Sequence, residues 1–163
     1  MNLNDSTAMV TGGARRIGRG IVKALRGAGC RVVIHYRSSG KEAEELAREL
    51  GSDSTFVVQG DLSSERGCVD VFARAVNECG PVNILVNNAS VYHRDPLQQT
   101  TLDRMTGELD PNLSAPVILC REFAAQSFDA DSKSPCASVV NLLDTRISGH
   151  EPGCLAYLVS KKA

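Results

Sequence analysis

Short apolar runs alternate with longer amphipathic segments along the whole chain. The apolar runs predict strands at Ala8–Val10, Arg31–Tyr36, Thr55–Gln59, Asn83–Asn87 and Ser138–Leu143. The amphipathic segments predict helices at Ile17–Ala28, Lys41–Leu50, Ser64–Cys79 and Leu109–Gln126, and a last helix that begins near Tyr157. Strands that are apolar throughout and alternate with helices predict a parallel sheet covered on both faces, in a doubly wound α/β fold. Such folds bind ligands at the carboxyl ends of their strands, so polar residues there are the candidates for chemistry.

The predicted fourth helix carries two prolines near its start, Pro111 and Pro116. Proline inside a helix removes a backbone hydrogen bond and clashes with the preceding turn. We therefore expect the first turns of this helix to be disturbed.

Composition narrows the function classes. The chain has 163 residues and a formal net charge of −1, with 42% hydrophobic and 23% charged residues, which fits one domain over residues 1–163. The near-neutral charge gives no electrostatic reason to expect nucleic acid or an anionic membrane as a partner. No apolar run is long enough to span a bilayer, and residues 1–10 do not resemble a signal peptide, so we expect a cytoplasmic protein.

The cysteines and histidines predict neither a disulfide framework nor a metal site. No two cysteines have CxxC spacing and no histidine pair accompanies them, so we expect small buried or half-buried thiols. We assign no metal or catalytic base to any histidine. The residues concerned are Cys30, Cys68, Cys79, Cys120, Cys136 and Cys154, and His35, His93 and His150.

A glycine-rich turn follows the first predicted strand directly. Residues 11–18 read Thr-Gly-Gly-Ala-Arg-Arg-Ile-Gly and lead into the first helix. Glycine lets the backbone turn sharply and approach a pyrophosphate, and the helix offers its N-terminal amides to the anion. The position between a strand and a helix favours a dinucleotide phosphate site, with a tight turn that binds nothing as the alternative.

The end of the second strand discriminates between nicotinamide cofactors. NAD-binding domains usually carry an acid there, which binds the ribose 2′-hydroxyl. This chain has no acid there but the run His35-Tyr36-Arg37-Ser38-Ser39. Arg37, with Arg15, can pair with a 2′-phosphate, and the two serines can donate hydrogen bonds to it. We therefore predict NADP(H), the alternative being that Arg37 is only an exposed loop charge.

Five short motifs, in the same order, resemble the short-chain dehydrogenase/reductase family along the whole chain. They are Thr-Gly-x₅-Gly at 11–18, Asp61-Leu62, Asn87-Asn88-Ala89, Asn112 in the fourth helix and Tyr157-x-x-x-Lys161. The resemblance implies a Rossmann fold and an NADP-dependent reductase. The cofactor-binding residues that it implies, together with the reasoning above, are Gly12, Arg15, Arg16, Ile17, Gly18, His35, Tyr36, Arg37, Ser38, Ser39, Asp61, Leu62, Asn88, Ala89, Ser90, Tyr157 and Lys161.

Three departures from the family pattern resemble the pteridine reductases. Arg16 stands where most members have the middle glycine, Ser90 stands where glycine is usual, and Asp144 takes the position of the usual catalytic serine. This resemblance implies a substrate site made by these three residues with Tyr92 and Tyr157, in which the Tyr92 ring stacks on the pteridine. The alternative for Tyr92 is a half-buried packing aromatic.

The implied catalytic residues are Asp144, Tyr157, Lys161 and Asn112, the last steadying the proton relay. Tyr157 and Lys161 are four residues apart and so project from one helix face. We expect the ammonium to lower the pKa of the phenol from its free value of about 10, so that Tyr157 can donate a proton while NADPH gives a hydride. A carboxyl group at 144 suits a C=N substrate, which needs a proton on nitrogen; the alternative is that Asp144 only caps the next turn.

The family resemblance implies further strands and a substrate-covering loop beyond Ala163, so we expect a Rossmann domain that is incomplete at the C-terminus, with the fifth strand as an uncovered edge. Full-length relatives are expected to be homo-oligomers, which leaves the oligomer of this shorter chain in doubt. The function predicted is reduction of a small pteridine of the dihydrobiopterin, dihydrofolate or dihydromonapterin type. A carbonyl or 3-oxoacyl reductase, and a truncated NADP-binding protein with weak or no turnover, stay open.

Overall fold

One parallel sheet organises the molecule. The computed structural model describes residues 3–94, 96–126, 137–149 and 153–163. The strands in these ranges are β1 (Thr7–Val10), β2 (Arg31–Tyr36), β3 (Thr55–Gln59), β4 (Ile84–Asn87) and β5 (Ser138–Asn141), in the spatial order β3-β2-β1-β4-β5. Every neighbouring pair is parallel. The chain changes direction across the sheet between β1 and β4, which creates the crevice where doubly wound folds bind ligands. The predicted fold class is confirmed.

The helices of the described ranges are α1 (Arg16–Gly27), α2 (Gly40–Leu50), α3 (Glu65–Cys79), α4 (Leu102–Leu109), α5 (Ala115–Ala124) and α6 (Leu155–Lys162). The first three agree with the prediction to within one residue at each end. Local chemistry sets the ends of α3: the Ser64 hydroxyl accepts the Gly67 N–H at 3.1 Å, and Gly80 follows the helix with a φ of 76°. Short 3₁₀ turns lie at Leu3–Asp5, Leu97–Gln99 and Thr145–Ser148.

The predicted start of the fourth helix is wrong. Helical backbone begins at Leu102, continues through α4 into a π-helical turn at Asp110–Ser114, and ends with α5. Pro111 lies in that π turn, where its missing N–H is tolerated and the wider backbone relieves the clash with the preceding turn. The proline therefore marks a wide turn within a longer helix, and this turn carries the buried Asn112.

Each face of the sheet packs against its own pair of helices. One hydrophobic cluster contains Met9, Val33 and Leu85 together with residues of α3 and α5. The other contains Val10 and Ile34 together with residues of α1 and α2. Successive strand residues point to opposite faces, so Met9 and Val10 belong to different clusters although both are fully buried. Cover on both faces explains why the strands are apolar throughout.

The residues that follow β5 pack against α6. β5 is the edge strand, ends at Asn141 rather than the predicted Leu143, and leaves Val139 and Val140 partly exposed. Helix α6 begins two residues before the predicted Tyr157, which is itself buried in a small cluster with Cys154 and Leu158. The residues that follow β5 therefore face the first turns of α6.

The described residues contain neither a membrane-spanning helix nor a metal cluster, and their cysteines form no disulfide. No helix is both long and apolar enough to cross a membrane. No group of three or more histidine, cysteine, aspartate or glutamate residues could hold a metal ion within the same ranges. The described cysteines are free thiols: Cys30, Cys68, Cys79 and Cys154 are buried and Cys120 is partly buried. Cys136 and His150 lie outside the described residues.

Candidate active site

A single threonine joins the loop after β1 to the loop after β4. The Thr11 hydroxyl donates to the Val86 carbonyl at 3.3 Å and accepts the backbone N–H groups of Asn88 and Ala89, both at 2.9 Å. The Asn88 amide returns two hydrogen bonds, to the carbonyls of Thr11 at 2.8 Å and Gly12 at 3.1 Å. These contacts hold the floor of the crevice between β1 and β4. Thr11 was not among the predicted site residues.

The glycine-rich turn leaves no room for side chains at two positions. Gly12 has a φ of 61°, and a Cβ there would lie 3.1 Å from the Ala89 Cα. A Cβ on Gly18 would overlap the Gly12 carbonyl oxygen and lie 2.6 Å from the Asn88 side-chain nitrogen. Arg16 adopts a left-handed φ of 50°, a conformation that costs a non-glycine residue about 1–2 kcal/mol. The backbone therefore takes the form of a tight glycine loop even where arginine replaces glycine.

A cavity of about 200 Å³ opens above this floor. Its walls come from the loops after β1, β2, β3 and β4, as doubly wound topology requires. Its lining residues are Gly12, Ala14, Arg15, His35, Tyr36, Arg37, Ser38, Ser39, Asp61, Leu62, Ala89, Ser90, Val91 and Pro111. Most of the predicted cofactor residues thus meet in one place. Arg16 and Ile17 are exposed outside this lining, and Gly18 and Asn88 hold the loop from behind.

Two exposed guanidinium groups and two serines stand at the β2 side of this cavity. Arg15 lies 3.5 Å from Glu42, an exposed pair that water screens, and Arg37 is exposed beside Ser38 and Ser39. The nearby acid is Asp61, whose pKa is lowered chiefly by the hydrogen bond that it accepts from the Ser63 N–H. This donor set can bind a phosphate group through charge-assisted hydrogen bonds.

His35 supports the glycine loop from beneath. Its ring is 2% exposed; Nδ1 accepts the Gly12 N–H at 3.2 Å and Nε2 lies 3.2 Å from the Gly60 carbonyl, which requires the neutral tautomer protonated on Nε2. Burial lowers the pKa of His35 to about 4. The ring's two nitrogens tie β2 to the loops after β1 and β3, and a contact of His35 with the cofactor stays a prediction.

Acid should destabilise the fold through His35. Between pH 6.5 and about 4 the unfolded chain takes up a proton that the buried ring refuses, so the free energy of unfolding falls by up to about 3 kcal/mol as the pH drops through this window. The contribution is fully present above pH 6.5. Urea unfolding across this range measures it in the wild type and in His35→Gln, whose amide can make both hydrogen bonds without titrating. A pH dependence as steep in the variant as in the wild type would contradict the assignment.

Tyr157 and Asp144 form a direct pair at the exit of β5. The Tyr157 hydroxyl donates to Asp144 Oδ2 at 2.5 Å, and the other carboxylate oxygen accepts the Arg146 N–H at 2.8 Å. Asp144 therefore caps the turn Thr145–Ser148 and also contacts the tyrosine, and its catalytic role stays a prediction. The arrangement provides a phenol that holds its proton against a carboxylate.

The expected lowering of the Tyr157 pKa is wrong in this structure. Burial and the hydrogen bond to Asp144 raise the pKa of Tyr157, and the same hydrogen bond lowers the pKa of Asp144. Lys161 does not act on the phenol here, because its ammonium donates to the Leu142 carbonyl at 3.2 Å, and burial lowers its own pKa. The pair therefore keeps its proton on the tyrosine and its negative charge on the aspartate.

Tyr92 forms a wall beside this pair. Its ring centroid lies 4.9 Å from that of Tyr157, with the ring planes nearly perpendicular, and the Arg146 guanidinium lies 5.1 Å from the Tyr92 centroid. Tyr92 is 40% exposed, so it is not a residue buried in the core. Asp144, Tyr157 and Tyr92, which the sequence predicted as one site, do lie together.

Asn112 connects the π turn to two other elements. Its amide nitrogen donates to the Val91 carbonyl and to the Ser160 hydroxyl, each at 2.9 Å. Its amide oxygen accepts the Val91 N–H at 2.8 Å and the Ser90 hydroxyl at 3.1 Å. Asn112 therefore holds the loop after β4 against α6, and its role of steadying the proton relay stays a prediction.

Two charged residues near the site were missed by sequence reasoning. Arg146 follows Asp144 by two residues, a spacing that could have flagged it. Glu108 lies one helical turn before Asn112 and is 1% exposed, but the helix start had been placed too late for this periodicity to be visible.

Comparison with known proteins identifies the family. A family model described as short chain dehydrogenase matches residues 6–163. The chain is 32% identical over 161 residues to an uncharacterized oxidoreductase of Thermotoga maritima, and 30% identical over an alignment of 192 positions to pteridine reductase 1 of Leishmania tarentolae. It is also 39% identical over 102 residues, 63% of this chain and 41% of the relative, to an acetoacetyl-CoA reductase of Rhizobium meliloti.

Solved structures with the same fold hold nicotinamide cofactors. The FolM alternative dihydrofolate reductase 1 of Brucella canis, complexed with NADP, superposes with a TM-score of 0.87 at 33% identity, over 100% of this chain and 65% of that one. A blue fluorescent protein from a metagenomic library, in complex with NADPH, gives 0.89 at 29% identity, over 99% and 65%. The match to the Thermotoga and Leishmania proteins covers 98% and 96% of this chain but 61% and 66% of theirs, so this chain spans somewhat under two thirds of their length.

Proposed function

Because this chain belongs to the short-chain dehydrogenase/reductase family, we propose that it is the NADP(H)-binding part of a reductase that acts on a pteridine. The observation that carries the proposal is the 2.5 Å contact between the Tyr157 hydroxyl and the Asp144 carboxylate. A carboxyl group at this place can help to deliver a proton to a ring nitrogen, whereas the hydroxyl usual in the family suits stabilising a carbonyl oxygen. The neighbouring Tyr92 ring offers a planar heterocycle a surface to pack against.

The cavity's own residues suit NADP(H). The glycine loop and the N-terminus of α1 would take the pyrophosphate, and the guanidinium groups of Arg15 and Arg37 with the hydroxyls of Ser38 and Ser39 would take the 2′-phosphate. Asp61 would lie at the adenine end. The absence of an acid after β2 favours the phosphorylated cofactor over NAD. The NADP and NADPH complexes of the similar structures support this choice.

Asp144 and Tyr157 would act as one proton-holding unit during reduction. Bound NADPH would supply a hydride to carbon, and a C=N substrate would then need one proton on nitrogen. Tyr157 would donate it, because the phenol is the protonated member of the pair. The nitrogen left by hydride addition to C=N would be basic enough to take a proton even from a phenol whose pKa is raised. The phenolate left beside Asp144 is electrostatically disfavoured and would be reprotonated from solvent quickly. Asn112 would hold α6 in place through Ser160 while this happens.

A carbonyl or 3-oxoacyl reductase is the second candidate, and the similarity to acetoacetyl-CoA reductase favours it. The two candidates differ in the group needed at position 144. A substrate panel of dihydrobiopterin, dihydrofolate and acetoacetyl-CoA, each with NADPH, separates them. Saturable use of a dihydropteridine supports the proposal, and use of acetoacetyl-CoA alone overturns it.

Asp144→Ser should shift the preference between these substrates. We expect kcat/KM for the dihydropteridine to fall by about a hundredfold, because the acid that orients the phenol and manages the proton is lost. Activity on a carbonyl substrate should fall much less or rise, since serine is the group usual in the family. Steady-state kinetics on both substrates measure the ratio. An equal loss on both substrates would mean that Asp144 is only a turn cap.

Arg37→Gln should weaken NADPH much more than NADH. Removal of one charge-assisted contact to the 2′-phosphate should raise the dissociation constant for NADPH by about ten- to a hundredfold, whereas NADH lacks the phosphate. Quenching of the protein's tyrosine fluorescence, or the enhancement of nicotinamide fluorescence, measures both constants. Arg48→Gln, on the far end of α2, is the matched control for the loss of one exposed arginine. Equal weakening of both cofactors would place Arg37 outside the phosphate site.

A further inference from the structure

One buried acid has no part in the proposed chemistry. Glu108 is 1% exposed and ranks among the largest fully buried side chains of the described residues. A buried carboxylate is costly unless hydrogen bonds compensate it, so its partners indicate what it is held for. Both of its oxygens are used, and all three donors come from residues close to the proposed site.

The first set of contacts reaches the loop after β4. Glu108 Oε1 accepts the His93 backbone N–H at 2.7 Å and lies 2.7 Å from His93 Nδ1, which must therefore carry a proton. The His93 side chain is about half exposed, so the ring covers the carboxylate from the solvent side. This contact fixes the residue that directly follows Tyr92.

The second contact reaches Asn112, one helical turn further on. The Asn112 amide nitrogen lies 3.2 Å from Glu108 Oε2, in addition to its shorter bonds to Val91 and Ser160. Asn112 in turn grips Val91 through both its backbone N–H and its carbonyl. The residue before Tyr92 and the residue after it are therefore both anchored to the same stretch of helix.

We infer that Glu108, with His93, is a positioning residue that sets the place of the Tyr92 ring against Tyr157. This inference rests on the proposed function, because Glu108 would set the spacing of the Tyr92 and Tyr157 rings, between which a planar substrate would enter. Without the carboxylate, the loop would keep its anchor at Val91 but lose the anchor at His93. The Tyr92 ring, which is 40% exposed, would then be free to turn away from Tyr157. KM for the substrate would therefore change more than kcat.

Glu108→Gln tests the inference with little change in volume. A glutamine is neutral and has one acceptor oxygen and one donor nitrogen. It weakens the His93 contacts if the oxygen faces His93, because the negative charge is gone, and it loses them if the nitrogen faces His93. We expect KM for dihydrobiopterin to rise about fivefold or more, with the dissociation constant of NADPH unchanged within about twofold. In a Tyr92→Ala background the same substitution should add almost nothing, because the residue through which it acts is gone. Additive effects of the two substitutions would overturn the inference.

Two further variants test the His93 contact and separate the effect of Glu108 from a loss of charge. His93→Ala removes a half-exposed side chain and its Nδ1 donor. We expect KM for dihydrobiopterin to rise in this variant as well, but by less than in Glu108→Gln. Glu122→Gln removes a partly buried carboxylate from α5 that pairs with Arg121, and serves as the control for loss of one negative charge from the same helical stretch. A rise in KM with Glu122→Gln as large as with Glu108→Gln would assign the effect to charge and overturn the inference.

A spectroscopic readout needs no substrate. The chain has three tyrosines, Tyr36, Tyr92 and Tyr157, so protein labelled with 3-fluorotyrosine should give three ¹⁹F resonances, which Tyr92→Phe assigns. Glu108→Gln should move or broaden the Tyr92 resonance and leave that of Tyr36 in place. An unmoved Tyr92 resonance would overturn the inference even if pteridine reduction is normal. Wild-type protein that uses no dihydropteridine would sink the proposed function, and the spectrum would still decide the role of Glu108.

Discussion

Tyr157→Phe should lower kcat for pteridine reduction by about a thousandfold, with the affinity for NADPH almost unchanged. Phenylalanine keeps the ring and its edge-to-face contact with Tyr92, and removes only the hydroxyl that bonds to Asp144. The loss therefore isolates proton transfer from packing. Single-turnover reduction under excess enzyme measures the chemical step, and an NADPH titration checks the binding site.

The size of the loss in kcat also distinguishes two routes by which the substrate could receive its proton. If Asp144 can protonate the substrate through water without the phenol, Tyr157→Phe will retain a few per cent of activity, with a pH profile set by the carboxyl group alone. A kcat within about tenfold of the wild type would remove Tyr157 from the proposed mechanism. The structure favours the larger loss, because the pair holds its proton on the tyrosine.

Gly18→Ala should abolish nucleotide binding and destabilise the fold by about 3 kcal/mol or more. The added methyl group would overlap the Gly12 carbonyl oxygen, which is backbone and cannot turn aside as a side chain can. The glycine loop must then move, and with it the hydrogen bonds from Asn88. Thermal unfolding and NADPH titration measure the two effects.

Gly20→Ala is the matched control in the same helix. A Cβ at Gly20 meets no atom within 4 Å, so alanine there should raise stability by up to about 1 kcal/mol through its better helix propensity. A loss of stability with Gly18→Ala and a gain with Gly20→Ala would confirm that the close approach of the Gly12 carbonyl, and not helix propensity, decides the effect at position 18. Equal effects would contradict this.

The fold was predictable because its signals are local. Apolar runs and glycine stops placed β2, β3, α2 and α3 to within a residue, since burial on both faces leaves a continuous apolar strand. The start of the fourth helix was not predictable from the same signals. Its first turns, from Leu102, are mostly exposed, and the prolines suggested an end where a π turn allowed the helix to continue.

The candidate site was predictable as a set of residues but not as an electrostatic arrangement. Asp144, Tyr157 and Tyr92 lie together as the motifs implied, because strand exits converge at one edge of a parallel sheet. The direction of the Tyr157 pKa was predicted wrongly, since sequence spacing put Lys161 on the same helix face but could not show that its ammonium bonds to the Leu142 carbonyl. Glu108 was missed because the predicted helix start lay after it, and its contact with His93 depends on the path of the loop after β4.

The Thr11 hydroxyl has a consequence for the order of events during synthesis. Its partners Val86, Asn88 and Ala89 lie 75 to 78 residues later in the chain. A nascent chain that has emerged only through β3 therefore contains the residues of the glycine loop but lacks the partners that hold the loop in its folded conformation. We therefore expect nucleotide to protect a nascent chain against proteolysis only after β4 has been made and has paired with β1.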